Sequence, residues 1–454
     1  MLRGQRAVLK ISVLAMAAVA ASGGFGYAQT TNSARTGSVD LTTRLQYDTN
    51  PNLQVSNPSG EFTVSERLNF SILMETRSQQ FSATGGADAQ YSSSNGVDLT
   101  RPDVRLRYST DRKNSNFNAR VGYSEVDVVG SFDIDPSAAV ILISDPGTLR
   151  TLSGGATVNV GLNAPFTFTG NVDHRDVQVL NTLDPSLFDS SNTVVGGTGQ
   201  LRFSPVTQGT VSVAHNMYSA DDATQTKTDT TTADFSISHE VKSALTLSAN
   251  VGYLRRDLEL NGASNVRSGF KAGLGVNQDR PAGAIFGQFS YDQTGPSDRT
   301  SLTLGGSQQM PTGALGASLT AANVQGSGLQ LIGNANYTQQ LSDGSIRLNL
   351  NQAFQTDQND NETLTTRLGL GFQQNVTATS NLSVDLNYAR VEDAGNGSQP
   401  TQNRASLAAA YDRALTPDWN MSVGYTHRLF SDPNGTANSD SVFLSLSRNV
   451  QFGF

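Results

Sequence analysis

Ten basic side chains occupy polar positions in segments where apolar and polar residues alternate. They are Arg44, Arg67, Arg105, Arg107, Arg120, Arg202, Lys271, Arg347, Arg367 and Arg404. Guanidinium and ammonium groups set around a confined path attract anions by direct charge interaction. Fewer carboxylates share those polar positions: Asp88, Asp173, Asp234, Asp385 and Asp412. If the cations pair with these acids they only fill space, so both readings stay open. Other acids gather in the connectors, among them Asp133, Asp135, Asp145, Asp184 and Asp189. Several carboxylate oxygens can hold a divalent cation. Asp133-Ile134-Asp135 lacks the regular spacing of a calcium loop, however, and solvated loops are the simpler expectation. Neither a metal site nor a cofactor is expected.

The four histidines, His174, His215, His239 and His427, are the candidates for acid–base work. His174 has Asp173 beside it and Asp176 two residues on. No Gly-x-Ser-x-Gly, His-Glu-x-x-His or phosphate-cradling glycine loop accompanies it. An enzyme is not expected.

These groups need a wall to hold them. From Val39 onward, runs of about 10 residues alternate strictly, the period of a strand with one apolar and one polar face. Leu41, Thr43, Leu45 and Tyr47 form one such face; Leu382, Val384, Leu386 and Tyr388 form another. Tilted strands of about 9–11 residues cross a bilayer. The connectors alternate between short turns, such as Leu341-Ser342-Asp343-Gly344, and long polar loops, such as Thr49–Gly60 and Leu258–Asn265. Short turns on one side and long loops on the other is the pattern of an outer-membrane barrel. The expectation is an all-β transmembrane antiparallel up-and-down β-barrel of about 22 strands, with about 18–20 as alternatives. Almost the whole chain is spent on strands and connectors, so no plug domain is expected. Two loops, 128–148 and 177–191, carry apolar residues that need cover. They are the candidates to fold into the mouth and narrow it.

The composition agrees. With 37% hydrophobic residues and no Cys, the chain is neither a helical membrane protein nor a disulfide scaffold. Residues 1–28 read as a signal peptide, with Arg3, Arg6 and Lys10 before an apolar core and Gly26-Tyr27-Ala28 at its end. Residues 29–38 form a short periplasmic lead-in and 39–454 the barrel. The formal charge of −8 becomes more negative once the signal is removed, which argues against nucleic acid as a partner.

Two stretches resemble known proteins. The ending Phe443 to Phe454, with Phe452 and Phe454 on the apolar face, resembles the last strand of Gram-negative outer-membrane barrels. That resemblance implies an assembly signal read by the barrel assembly machinery. The opening Leu45-Gln46-Tyr47-Asp48-Thr49-Asn50-Pro51-Asn52-Leu53 is similar to the start of a β-barrel porin family linked to exopolysaccharide export. Pro51 and Asn52 interrupt the family's pattern. The functional expectation is a porin-like channel for passive diffusion of small polar or anionic solutes, set among outer-membrane lipid and lipopolysaccharide. The alternative is an exopolysaccharide-export-associated or structural barrel that conducts only with a partner.

Overall fold

Alternation repeated from strand to strand gives each strand one apolar face, and among the described residues these faces are left largely exposed. The computed structural model describes residues 34–93, 96–127, 147–182, 187–294, 298–325, 328–356, 362–394, 401–433 and 435–453. These build one antiparallel sheet of 22 strands in chain order, from β1 (Ala34–Asp48) to β22 (Gly435–Gly453). β1 pairs with β22 from Thr36↔Gly453 to Asp48↔Ser441, which closes the sheet on itself. Closure removes the open edges that lipid would not tolerate. β1 begins inside the stretch read as a lead-in.

The two faces sort by chemistry. On β12 (Ala263–Arg280), Phe270, Leu274 and Val276 point outward, Leu274 with 63% of its surface exposed, while Lys271 between them points inward. On β14 (Arg299–Met310), Leu302 and Leu304 stand outward; on β15 (Gly313–Val324), Leu315 and Leu319 do. Among the described residues the only buried apolar cluster is small: Leu53, Val391, Phe430 and Ala437. A chain with this much outward apolar surface and so little core is stable only with lipid as its outer solvent. No described helix is long and apolar enough to cross a membrane; the crossing is by strands.

One rim carries tight turns. Examples join β16 (Gly328–Leu341) to β17 (Gly344–Thr356), and β18 (Glu362–Thr377) to β19 (Ser380–Asp393). The other rim carries loop 49–60 before β2 (Glu61–Glu75) and loop 221–226 between β9 (Thr207–Ala220) and β10 (Lys227–Lys242). Several connectors expected to be long are instead strand. The stretch 258–265 is the tip of a hairpin between β11 (Leu245–Leu260) and β12, turned by Asn261 (φ 51) and Gly262 (φ 78). Two consecutive left-handed residues make the type I′ turn that matches strand twist, and Asn-Gly favours it.

Two expected results follow locally. A Cβ added at Gly37 would overlap the ring of Phe452, which lies across β1 at the closing seam. Gly37→Val is expected to displace that ring and lower the yield of closed barrel several-fold, read as loss of the fast-migrating unheated band on a gel.

In loop 221–226, burial alone would raise the carboxyl of Asp222. Hydrogen bonds from Thr226 and Thr224 outweigh that and hold it below its ordinary value. Its Oδ1 accepts from Thr226 N at 2.8 Å and its Oδ2 from the Thr226 hydroxyl at 2.6 Å. A depressed carboxyl lends order above its unfolded pKa and loses it as pH falls through the folded one. Amide protection of Thr226 is therefore expected to fall below the ordinary Asp range, and Asp222→Asn to abolish that pH dependence.

Candidate functional site at the barrel mouth

Loop 49–60 turns inward, and local chemistry explains how. Asp48 ends β1 on its inner face. Its Oδ1 accepts from Asn50 N at 2.9 Å and from the Ser439 hydroxyl; its Oδ2 accepts from Arg428 at 2.6 Å. The Asn50 amide donates to the carbonyls of Gln54 and Asn438, while Gln54 N donates back to Asn50 Oδ1. Asp and Asn side chains that bond nearby backbone in this way close tight turns. Leu53 takes φ 48, a strained value for a side chain of its size. It is offset by complete burial (0% exposed) with Val391 of β19, Phe430 of β21 (Trp419–Asp432) and Ala437 of β22. An apolar anchor and a charge-assisted pair thus pin the loop inside the mouth.

A second inward element faces it. The ladder between β16 and β17 ends at Ala335↔Leu350. Above that level, inward Arg299 of β14 passes β15 and β16 to reach Glu362 of β18 at 3.3 Å, and it lies 4.7 Å over the ring of Phe354 of β17. Inward Gln330 of β16 donates to the carbonyl of Ala394, just past β19. The outer ends of β17, β18 and β19 therefore lean into the mouth, over the inner wall of β14–β16.

Below loop 49–60 lies a pocket of about 610 Å3, bordered by Pro51 and Asn52 of the loop and by wall groups from β1 to β4 (Gly96–Arg112), β5 (Ser115–Asp127) and β21. Its charged border is Arg44, Arg67, Arg101 and Arg428 against Asp48, Glu61, Asp88 and Asp127. Arg67 bonds Asp88 at 3.2 Å and Asp103 at 2.5 Å; Arg101 bonds Asp88 at 2.8 Å. Arg44 differs. It stacks 3.8 Å from the centre of the Phe443 ring and donates Nε to Gln46, with no carboxylate in ion-pair range among the described residues. Its remaining N–H groups face the pocket and can take an oxyanion.

The other wall cations divide in two. Arg120 pairs with Asp173, and Lys271 with Asp234 at 2.7 Å. Arg105, Arg107, Arg202, Arg347 and Arg367 are exposed on the inner face, with no ion pair among the described residues. Arg404 is 1% exposed, in register with Ala389 and Phe430. Of the candidate constriction residues, Asp133, Asp135, Asp145 and Asp184 lie outside the described residues. Asp189 is exposed and accepts from Val179 N at 2.7 Å, at the end of β7 (Phe166–Leu180). Phe452 points outward; Phe454 lies outside the described residues. Sequence reasoning missed Asp48, Leu53, Arg101 and Arg428. The signal was available in Asp48-Thr49-Asn50-Pro51-Asn52-Leu53, where turn formers flank one apolar residue.

The histidines do not converge. His174 lies 2.8 Å from the Thr193 hydroxyl, on the face opposite Asp173. His215 and His239 each meet a cross-strand threonine, and His427 meets Asp440 at 2.8 Å. No group of three metal-ligating side chains occurs among the described residues.

No protein-family model and no curated protein matches the chain. Solved structures do. The ferric-catecholate import receptor Fiu from E. coli K12 aligns over 93% of this chain and 82% of its own, at 8% identity and a TM-score of 0.60. The FrpB iron transporter from Neisseria meningitidis aligns over 91% and 81%, at 9% identity and 0.56. The copper transporter OprC aligns over 94% and 82%, at 10% identity and 0.55. Identity this low shows the fold alone: an outer-membrane β-barrel of receptor width. The protein lies in the cell outer membrane, its belt against lipid and its mouth at the lipopolysaccharide surface.

Three expectations are corrected. The plugless barrel does not stand, because 22-stranded outer-membrane transporters hold a plug in their wide lumen. The passive porin does not stand, because the structures that share this wall are import receptors and transporters of particular cargo. The exopolysaccharide-export or structural alternative falls on the same finding, and no porin or exopolysaccharide family is shown.

Proposed function

We propose that the chain is the barrel of an outer-membrane import receptor that captures an anionic solute at its mouth, with a metal chelate as the leading class. The observation that carries this is the pocket of about 610 Å3, roofed by latched loop 49–60 and bordered by Arg44 with N–H groups to spare. Pockets of about 300–1,000 Å3 suit a single small ligand. Arg105, Arg107, Arg202, Arg347 and Arg367, without an ion pair among the described residues, add positive charge to the inner wall. The similar structures are receptors or transporters for ferric catecholate, iron and copper, which supports the class of cargo. Export through the signal at residues 1–28 and assembly through Phe452 and Phe454 complete the reading.

The test is equilibrium binding of a ferric catecholate to the purified barrel, beside solute flux into liposomes. Saturable binding that weakens at least tenfold in Arg44→Ala, with little unsaturable flux, is expected. Large flux of unrelated sugars without saturable binding overturns the proposal.

A further inference from the structure

We propose that a second anion site lies on the inner wall of β3–β6, away from the mouth, and takes a small oxyanion of the phosphate class. It rests on the wall alone and stands apart from chelate capture at the mouth. β3 (Gln79–Ser92), β4, β5 and β6 (Thr148–Val160) line up Ser82, Arg107, Arg120 and Gly155 in one inward row. Two arginines thus stand directly opposite each other, an arrangement that costs stability unless an anion joins them. Asp173 of β7 answers only one of them. It bonds Arg120 by lying across Gly155, where a Cβ would overlap its Oδ1. Its Oδ2 accepts from Asn171 at 3.5 Å. Arg107 is left with no carboxylate in ion-pair range among the described residues, as is Arg105, the next inward residue of β4.

A pocket of about 340 Å3 opens at this row. Gln80, Ser82, Ser109, Asn118 and Thr157 border it together with Arg107 and Arg120, and Leu73 forms one side. None of those five hydroxyl and amide side chains has a hydrogen-bond partner among the described residues. A guanidinium with N–H groups to spare, ringed by hydroxyls and amides, matches the forked oxygens of a phosphate. The volume, at the small end for a ligand pocket, suits inorganic phosphate or a phosphate monoester sooner than a multi-ring chelate. Arg107 lies about 20 Å along β4 from Arg101 of the mouth pocket, at about 3.3 Å per residue, so the two sites are separate. Inward Glu75 and Asp111 lie nearer the turn rim, in register with Gln80 and Asn116, and neither pairs with Arg107.

The chain has no cysteine, so Leu73→Cys places a single thiol in this pocket without removing a polar group. The test follows modification of that thiol, in the purified full chain, by anionic and cationic methanethiosulfonates. The anionic reagent is expected to react about tenfold faster, drawn by the uncompensated guanidiniums. Millimolar inorganic phosphate, with ionic strength held constant by chloride, is expected to slow it several-fold. Arg107→Gln should abolish that protection. Asn118→Ala, which leaves every charge in place, should weaken it several-fold. Arg44→Ala should leave it intact, so failure of the mouth site and failure of this one are told apart. No protection by phosphate, or protection that chloride alone reproduces, that survives Arg107→Gln or that vanishes in Arg44→Ala, overturns the proposal.

Discussion

Asp48→Ala is expected to release loop 49–60 from the mouth. Asp48 and Arg428 are both largely buried as an ion pair at 2.6 Å, with Ser439 and Asn50 on the same carboxylate. Removing one partner of such a pair leaves the other charge desolvated, at a cost of about 3–5 kcal/mol. Even the lower figure is more than a hundred-fold shift between seated and released loop. The measurement is labelling of Asn52→Cys by a membrane-impermeant maleimide, because Asn52 borders the pocket beneath the loop. Labelling about a hundred-fold faster in the Asp48→Ala background is expected. Asp48→Ala with Arg428→Ala should recover part of the loss, since neither charge is then stranded. Unchanged labelling would mean that Leu53 alone seats the loop.

Arg299→Ala is the second large effect, and it acts on the opposite inward element. Glu362 is almost fully buried, and Arg299 is its cation at 3.3 Å. The same guanidinium covers the ring of Phe354, a contact worth about 1 kcal/mol. Loss of both is expected to cost about 4 kcal/mol and to lift the outer ends of β17–β19 from the wall. Amide exchange should rise by nearly three orders of magnitude across Thr363–Thr366 and stay unchanged across the β1–β22 seam. Arg299→Lys should restore little, since an ammonium neither stacks on the ring nor spans both contacts. Equal exchange in variant and parent would detach the lean of these strands from Arg299.

The two elements differ in how far the chain announces them. Period-two alternation shows most of the wall: it marks Leu41, Leu45 and Tyr47 as one face and Arg44 and Gln46 as the other, and the structure points these faces outward and inward. That much is local, because alternation alone decides which side a residue takes. Extended hairpins such as 245–280 were harder to read, since polar strands above the membrane resemble loops until Asn261-Gly262 is recognised as a turn.

What alternation cannot reveal is which residues meet across the lumen. Arg428 is 380 positions from Asp48, and only closure of β1 on β22 brings them together. Leu53 looked like an ordinary loop residue because its cover comes from three strands near the other end of the chain. The halted β16–β17 ladder is likewise invisible, since both strands alternate without interruption and only the lean of β17–β19 parts them. The plug question shows the same limit: wall pattern sets the width of a barrel, but what fills the width is a separate interaction. Sequence by itself determined that this protein is a membrane barrel and which face of each strand is apolar, because side-chain period is a property of each strand. Tertiary structure decided what narrows the mouth, where the wall parts and which cations stay unpaired, because those depend on contacts between strands far apart in the chain.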